Sequence, residues 1–157
     1  RDGFLRAARA LGLETGTGLI AEDGASAAQG SEGARALLAL DRPPTAIVCA
    51  TDSGALGACR EIGAAGLRVG QDVSVISYDG IPEGAVATPG LTTFEVDNRE
   101  AGARLAKLLI RYIRGEAPED LRETARARLK VRASDGPPAR SVEDLADLLS
   151  RRSEDVS

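Results

Sequence analysis

Two short apolar runs constrain the fold of this chain more than any other feature. Residues 45 to 50 (TAIVCA) and 73 to 77 (VSVIS) are too short for helices and rich in β-branched side chains, so both read as strands, the first as one buried on both faces. Between them Thr51-Asp52-Ser53 offers helix-capping chemistry, and Leu56, Cys59, Arg60 and Ile62 carry a helix that ends near Gly63 or Gly66. Strand, helix and strand joined by short glycine-containing connections make a parallel βαβ unit, expected to be right-handed. The predicted fold class is therefore α/β, a parallel sheet flanked by helices.

The flanking sequence extends that pattern. Phe4, Leu5, Ala8 and Leu11 place a helix over residues 3 to 11, with Gly12 as its stop. The Gly-, Ala- and Ser-rich stretch from 14 to 30 offers one short apolar run, 19 to 21, assigned as a strand. Ser31 is the expected cap of a helix with Ala34, Leu37, Leu38 and Leu40 as its apolar positions, and Pro43-Pro44 prevents its continuation. Pro82, Pro89 and the glycines around them make residues 80 to 90 a loop, after which 91 to 96 resumes as a strand. Ala101, Leu105, Leu108, Leu109 and Tyr112 mark one face of a helix over 98 to 114, and Gly115 ends it. From 125 to 133, Arg126, Arg128, Lys130 and Arg132 alternate with Ala127, Leu129 and Val131, the signature of a strand with one wet face. Residues 134 to 140 read as a Gly/Pro linker, and Ser141 to Asp144 as a capping box for an appended helix carrying Leu145, Leu148 and Leu149.

Length and composition narrow the function. The 157 residues suit one domain, or little more than one lobe of a two-lobed protein, and the opening Arg1 in place of Met suggests a fragment. The chain has no His, so it holds no Ser-His-Asp triad, Cys-His dyad, histidine general base or His-ligated metal site; no metal or cofactor is expected. A net charge of −4 argues against a surface for nucleic acid. Cys49 and Cys59, ten positions apart, form no CxxC pair, which suits a reducing cytoplasm, and Cys49 reads as a small buried hydrophobe. No apolar stretch of about 18 residues exists to span a bilayer.

In parallel α/β sheets ligands sit at the carboxyl ends of strands, which singles out Thr51, Asp52 and Asp79. A carboxylate there can accept hydrogen bonds from adjacent sugar hydroxyls. For Asp52 the alternative is a helix cap, and for Asp79, ahead of Gly80, an Asx-turn. A phospho-acceptor receiver is discounted because the only lysines, Lys107 and Lys130, fall inside a helix and a strand. A dinucleotide fold is discounted because no strand leads into G-x-G-x-x-G.

Four motifs then stand in order: residues 44 to 52 (PTAIVCATD), 55 to 58 (ALGA), 66 to 79 (GLRVGQDVSVISYD) and 89 to 93 (PGLTT). Together with Arg1-Asp2-Gly3-Phe4 they resemble the effector-binding domain of LacI/GalR (lactose- and galactose-repressor type) transcription regulators, from the first residue to about residue 133. The resemblance implies a two-lobed, type I periplasmic-binding-protein-like sensor with a small sugar-like effector in the cleft between lobes. Residues 1–90 would form the C-terminal lobe and 91–115 a crossover strand and a helix of an otherwise missing N-terminal lobe, its apolar face bare in isolation. Residues 116–133 would return to the C-terminal lobe, and 134–157 form a linker and appended helix.

By position, the resemblance makes Asp79 the effector-contacting aspartate and Asp52 the aspartate of an Asn-Asp motif in which Thr51 replaces the usual Asn. Val96 stands where some sugar-responsive members have a polar side chain, and Leu56, Val86 and Ala87 fall at the family's homodimer interface. A cytoplasmic repressor that meets DNA through an upstream helix-turn-helix, with no membrane partner and no enzymatic activity, is the implied function. The sugar-binding component of an ABC transporter, which shares the fold, is the alternative; an enzyme lacks an identifiable nucleophile or base.

Overall fold

The computed structural model describes residues 2–13, 15–22 and 24–154. Arg1 of the first motif and residues 155–157 of the tail lie outside the described residues. Strands β1 (Ala46–Val48), β2 (Ser74–Asp79), β3 (Thr92–Glu95) and β4 (Arg128–Lys130) form one sheet in that order. The first three run parallel, with Ile47 opposite Val75 and Ser77 opposite Thr93, and β4 returns antiparallel to β3. The helices are α1 (Asp2–Ala10), α2 (Ala27–Leu38), α3 (Asp52–Ala64), α4 (Pro82–Val86), α5 (Asn98–Ile113) and α6 (Val142–Glu154). The α/β class expected from the two apolar runs is the observed one.

The core lies between the sheet and the α2/α3 pair, where Ala34, Leu37, Ile47, Ala55, Ile62 and Val75 are buried together. Glycine sets how closely that helix pair packs. A Cβ on Gly57 would lie 1.9 Å from the Ala27 carbonyl oxygen, and one on Gly30 would lie 1.9 Å from that of Gly54. The two helices thus meet backbone to backbone. Beside this contact the Ser31 hydroxyl donates to the Gly57 carbonyl at 2.9 Å, and Arg35 pairs with Glu61 at 2.7 Å.

Several expectations are corrected. No strand covers residues 19 to 21; Thr17–Leu19 is a 3-10 turn in which the Leu19 N–H donates to the Gly16 carbonyl, a local bond that replaces sheet pairing. The cap of α2 is Ser26 rather than Ser31, because Ser26 and Gln29 form a reciprocal capping box one turn earlier. Strand β1 is buried on one face only: as the sheet edge it presents Ile47 to the helices, while Val48 is 55% exposed. The loop at 80 to 90 contains α4, which Pro82 starts at a position where a missing N–H costs nothing. Strand β4 is shorter than expected and exposed on both faces, since Leu129 and Val131 meet no covering layer among the described residues.

The tail is also integral, not appended. Ser134 is fully buried beside β2: its hydroxyl donates to the Val75 carbonyl at 2.6 Å and accepts from the Thr92 N–H at 2.8 Å. The Ser134 carbonyl in turn accepts the Val75 N–H at 2.7 Å, the place a longer β3 would have taken. Ala139 donates to the Gln71 carbonyl, Arg140 reaches Asp72 at 3.0 Å, and Leu145 of α6 is fully buried in the main core. Ser141 and Asp144 do form the expected capping box of α6. Asp72 is itself buried, and hydrogen bonds from the Arg68 guanidinium, against the opposing effect of burial and with help from Arg140, hold its carboxyl well below the usual carboxylate range.

Two outcomes follow from these contacts. Gly57→Ala forces a methyl into the backbone of α2 and lowers unfolding stability by about 1–3 kcal/mol, measured by urea denaturation. Asp72→Asn leaves the Arg68 and Arg140 donors facing a neutral amide in a buried position and costs about 1–3 kcal/mol at neutral pH. Because the folded value lies below the ordinary 3.8, the carboxylate's contribution is complete above that pH and fades as pH falls through the folded value. The gap between wild type and Asp72→Asn therefore closes in acid, and a gap that stayed constant would contradict the assignment.

Candidate functional site

The site is built where β2 runs out. Successive residues of a strand face opposite ways, so Ser77 and Asp79 share one face of β2 and Tyr78 takes the other. Asp79 has φ of 135°, a region that side chains other than glycine's rarely adopt, and Gly80 follows at 83°. Only glycine fits at 80, because a Cβ there would lie 2.8 Å from the Cα of Glu95 on β3. The double bend turns two successive N–H groups back under the strand end.

Those N–H groups meet Asp52. Its Oδ2 accepts the N–H of Gly80 at 2.9 Å and of Ile81 at 2.8 Å. Its Oδ1 accepts the hydroxyls of Ser77 at 2.5 Å and Thr93 at 2.6 Å. Asp52 is fully buried, so four donors replace the water it has lost. Sequence alone left Asp52 between cap and ligand contact. The cap is Thr51, whose hydroxyl accepts the Gly54 N–H at 3.1 Å and donates to the Ala25 carbonyl at 2.8 Å. Asp52 is the first residue inside α3, and its carboxylate faces the interior.

Asp79 is different. It is half-buried at the strand end, and its carboxylate makes no hydrogen bond among the described residues, so the Asx-turn is not formed. Its backbone carbonyl accepts the N–H of Val96, which ties the bend to the chain leaving β3. Leu56 is half-buried on α3 against the core, Val86 at the end of α4 is 83% exposed, and Ala87 follows it half-buried. Burial pushes the Cys49 thiol up to about 12 and the Cys59 thiol up to about 11, so neither is a nucleophile at neutral pH.

A cleft of about 280 Å³ opens on the Tyr78 side, lined by Tyr78, Val96, Asp97, Arg104 and Arg128 among others. It takes in Val96 but not Asp79, Thr51 or Asp52, which lie on or behind the other face of β2. The structure therefore brings Asp52 and Asp79 together through the bend and leaves the cleft separate. Sequence reasoning missed Ser77, Thr93 and Ser134. The available signal for Ser77 and Thr93 was a hydroxyl at an inward-facing strand position, which a buried acceptor on a neighbouring element explains.

Similar proteins report on the same residues. Residues 1–134 match the model of the periplasmic binding protein-like domain family. The HTH-type transcriptional regulator AglR of Rhizobium meliloti is 40% identical over 149 residues, covering 90% of this chain and 41% of that protein. A LacI family transcriptional regulator from Mycobacterium smegmatis superposes with a TM-score of 0.76 at 26% identity, over 87% of this chain and 51% of that one. One from Arthrobacter sp. FB24, in complex with lactose, gives 0.73 at 28% identity, over 86% and 50%. The chain thus spans well under two thirds of each. Helix α6 lies beyond the residues the family model matches, although Leu145 completes the core.

The strained position makes a testable contrast. Asp79→Gly relieves the positive φ and raises stability by about 1 kcal/mol, the strain released less the entropy glycine loses on folding. A chemical denaturation midpoint that fell instead would show that Asp79 is not strained.

Proposed function

Because the chain belongs to the periplasmic binding protein-like family, as a LacI/GalR effector-binding domain, we propose that it senses a small sugar-like effector for a DNA-binding repressor. The observation that carries this reading is Asp79: a carboxylate held in a strained backbone state, without a hydrogen-bond partner among the described residues, at the carboxyl end of a parallel strand. Such a group accepts two hydroxyls of a sugar without first giving up internal bonds. The lactose in the Arthrobacter relative favours the sugar class. Thr51 stands beside the same strand ends with its hydroxyl engaged, and Asp52 acts from behind the bend.

In this reading residues 1–90 are the C-terminal lobe, 91–115 the crossover and a helix of the N-terminal lobe, 116–133 the return, and 134–157 the tail. The bare apolar side of α5 supports that division: none of its residues is buried, and Leu105, Leu109, Ile110 and Tyr112 are exposed. Side chains of that kind suit contact with a second lobe. Leu56, Val86 and Ala87 are the proposed homodimer contacts, and DNA is met through a helix-turn-helix upstream, in the cytoplasm. No described helix is long and apolar enough to cross a membrane.

Regulation is then a matter of linkage. An effector that binds one lobe arrangement better shifts the population toward it, and a tenfold change in operator affinity needs about 1.4 kcal/mol of coupling. The test is operator affinity of the full-length regulator with and without lactose and other disaccharides. One of them changes it about tenfold or more in the wild type and not in Asp79→Ala. Indifference of the wild type to every sugar would sink the reading.

A further inference from the structure

Asp52 has no exposed surface, so it cannot serve the site by direct contact, yet it bonds to β2, to β3 and to the bend after Asp79. Its two oxygens divide the work. Oδ2 grips the consecutive N–H groups of Gly80 and Ile81, one residue and two residues past Asp79. Oδ1 joins the hydroxyl of Ser77 on β2 to that of Thr93 on β3. From Thr93 the chain runs two residues to Glu95, whose Cα packs against Gly80, and then to Val96, whose N–H returns to the Asp79 carbonyl.

The geometry points to Asp52 as a positioning residue: it holds Asp79 in its strained bend and ties that bend to the strand entering the crossover. The inference rests on Asp79 being the effector contact. Without the two N–H bonds on Oδ2, the bend keeps its backbone pairing to β3 but loses the hold on the residues that follow Asp79, which then relaxes toward negative φ and carries its carboxylate out of the orientation a ligand meets. Without the bond from Thr93, the bend is joined to the strand entering the crossover by backbone pairing alone. A helix cap or a core filler at position 52 has neither consequence.

The test uses the full-length protein, with hydrogen exchange read at the Gly80 and Ile81 amides and lactose, or whichever disaccharide the wild type binds, as the titrant. In Asp52→Ala both amides exchange faster relative to global unfolding. Affinity then falls about tenfold to a hundredfold, the factor by which a strained backbone state depopulates when released. Asp52→Asn restores most of both, since its carbonyl can take the two N–H groups while the hydroxyls rotate to accept from its NH₂. Ile81→Pro serves if Asp52→Ala does not fold. Proline suits the φ of −70° at 81 and removes one N–H with no change of charge, so affinity falls and Gly80 exchanges faster. Asp72→Asn, a destabilising change elsewhere in the lobe, leaves affinity and the two amides' relative exchange as in wild type.

Protection kept in Asp52→Ala, or protection lost with affinity unchanged, overturns the inference. Should the wild type bind no disaccharide, the effector reading of Asp79 fails by itself. The exchange rates then still decide: protection lost sustains the hold of Asp52 on the bend, and protection kept ends it.

Discussion

A carboxyl group with no exposed surface, Asp52, organises the carboxyl end of the parallel strands. Taking such a group out of water without donors costs several kcal/mol, so its neighbours are obliged to supply them. Ser77 and Thr93 therefore carry hydroxyls in strands where aliphatic residues would otherwise serve, and the chain after Asp79 must bend so that two N–H groups turn inward. Gly80 makes that bend sterically possible, and Asp79 inherits a backbone state it would not choose alone. One side chain at the start of α3 thus fixes the relation of β2, β3 and the site.

The far end of the sheet follows the same logic with different residues. Asp72 is the buried acceptor there, and Arg68 and Arg140 are its donors. Because Arg140 lies in the tail, the same interaction that satisfies Asp72 draws residues 134 to 140 along the sheet and brings Leu145 into the core. Ser134 completes the arrangement by taking the hydrogen-bonding place that a longer β3 would have filled. Two buried carboxylates, one at each end, thus each gather polar groups from separate parts of the chain.

Between those ends the body of the lobe is closed on one side and open on the other. Glycines let α2 and α3 approach to backbone contact, which buries Ile47 and Val75 beneath them. Tyr78, Phe94 and Leu129, aligned across β2, β3 and β4, stay more than 40% exposed on the opposite face, and α5 shows its apolar residues to solvent. That asymmetry agrees with a chain spanning about half the length of its solved relatives. Coupling between lobes, in the proposed regulator, would run through the chain that leaves β3 beside the Asp79 bend.

The sequence by itself determined the α/β class, the first two strands, the helix between them and the helix over 98 to 113. Each is set by local periodicity, by proline and by caps, which act over a few residues. It also singled out Asp79, because a carboxylate after an apolar strand stands out in one dimension. Its errors share a cause. The single-sided burial of β1, the missing strand at 19 to 21, the exposure of β4 and the embedding of the tail depend on which elements become neighbours. The role of Asp52 was decided only by the tertiary structure, since its donors lie 25, 28, 29 and 41 residues away. No local pattern can show that a carboxylate will be satisfied from that distance; the folded sheet alone brings those donors to it.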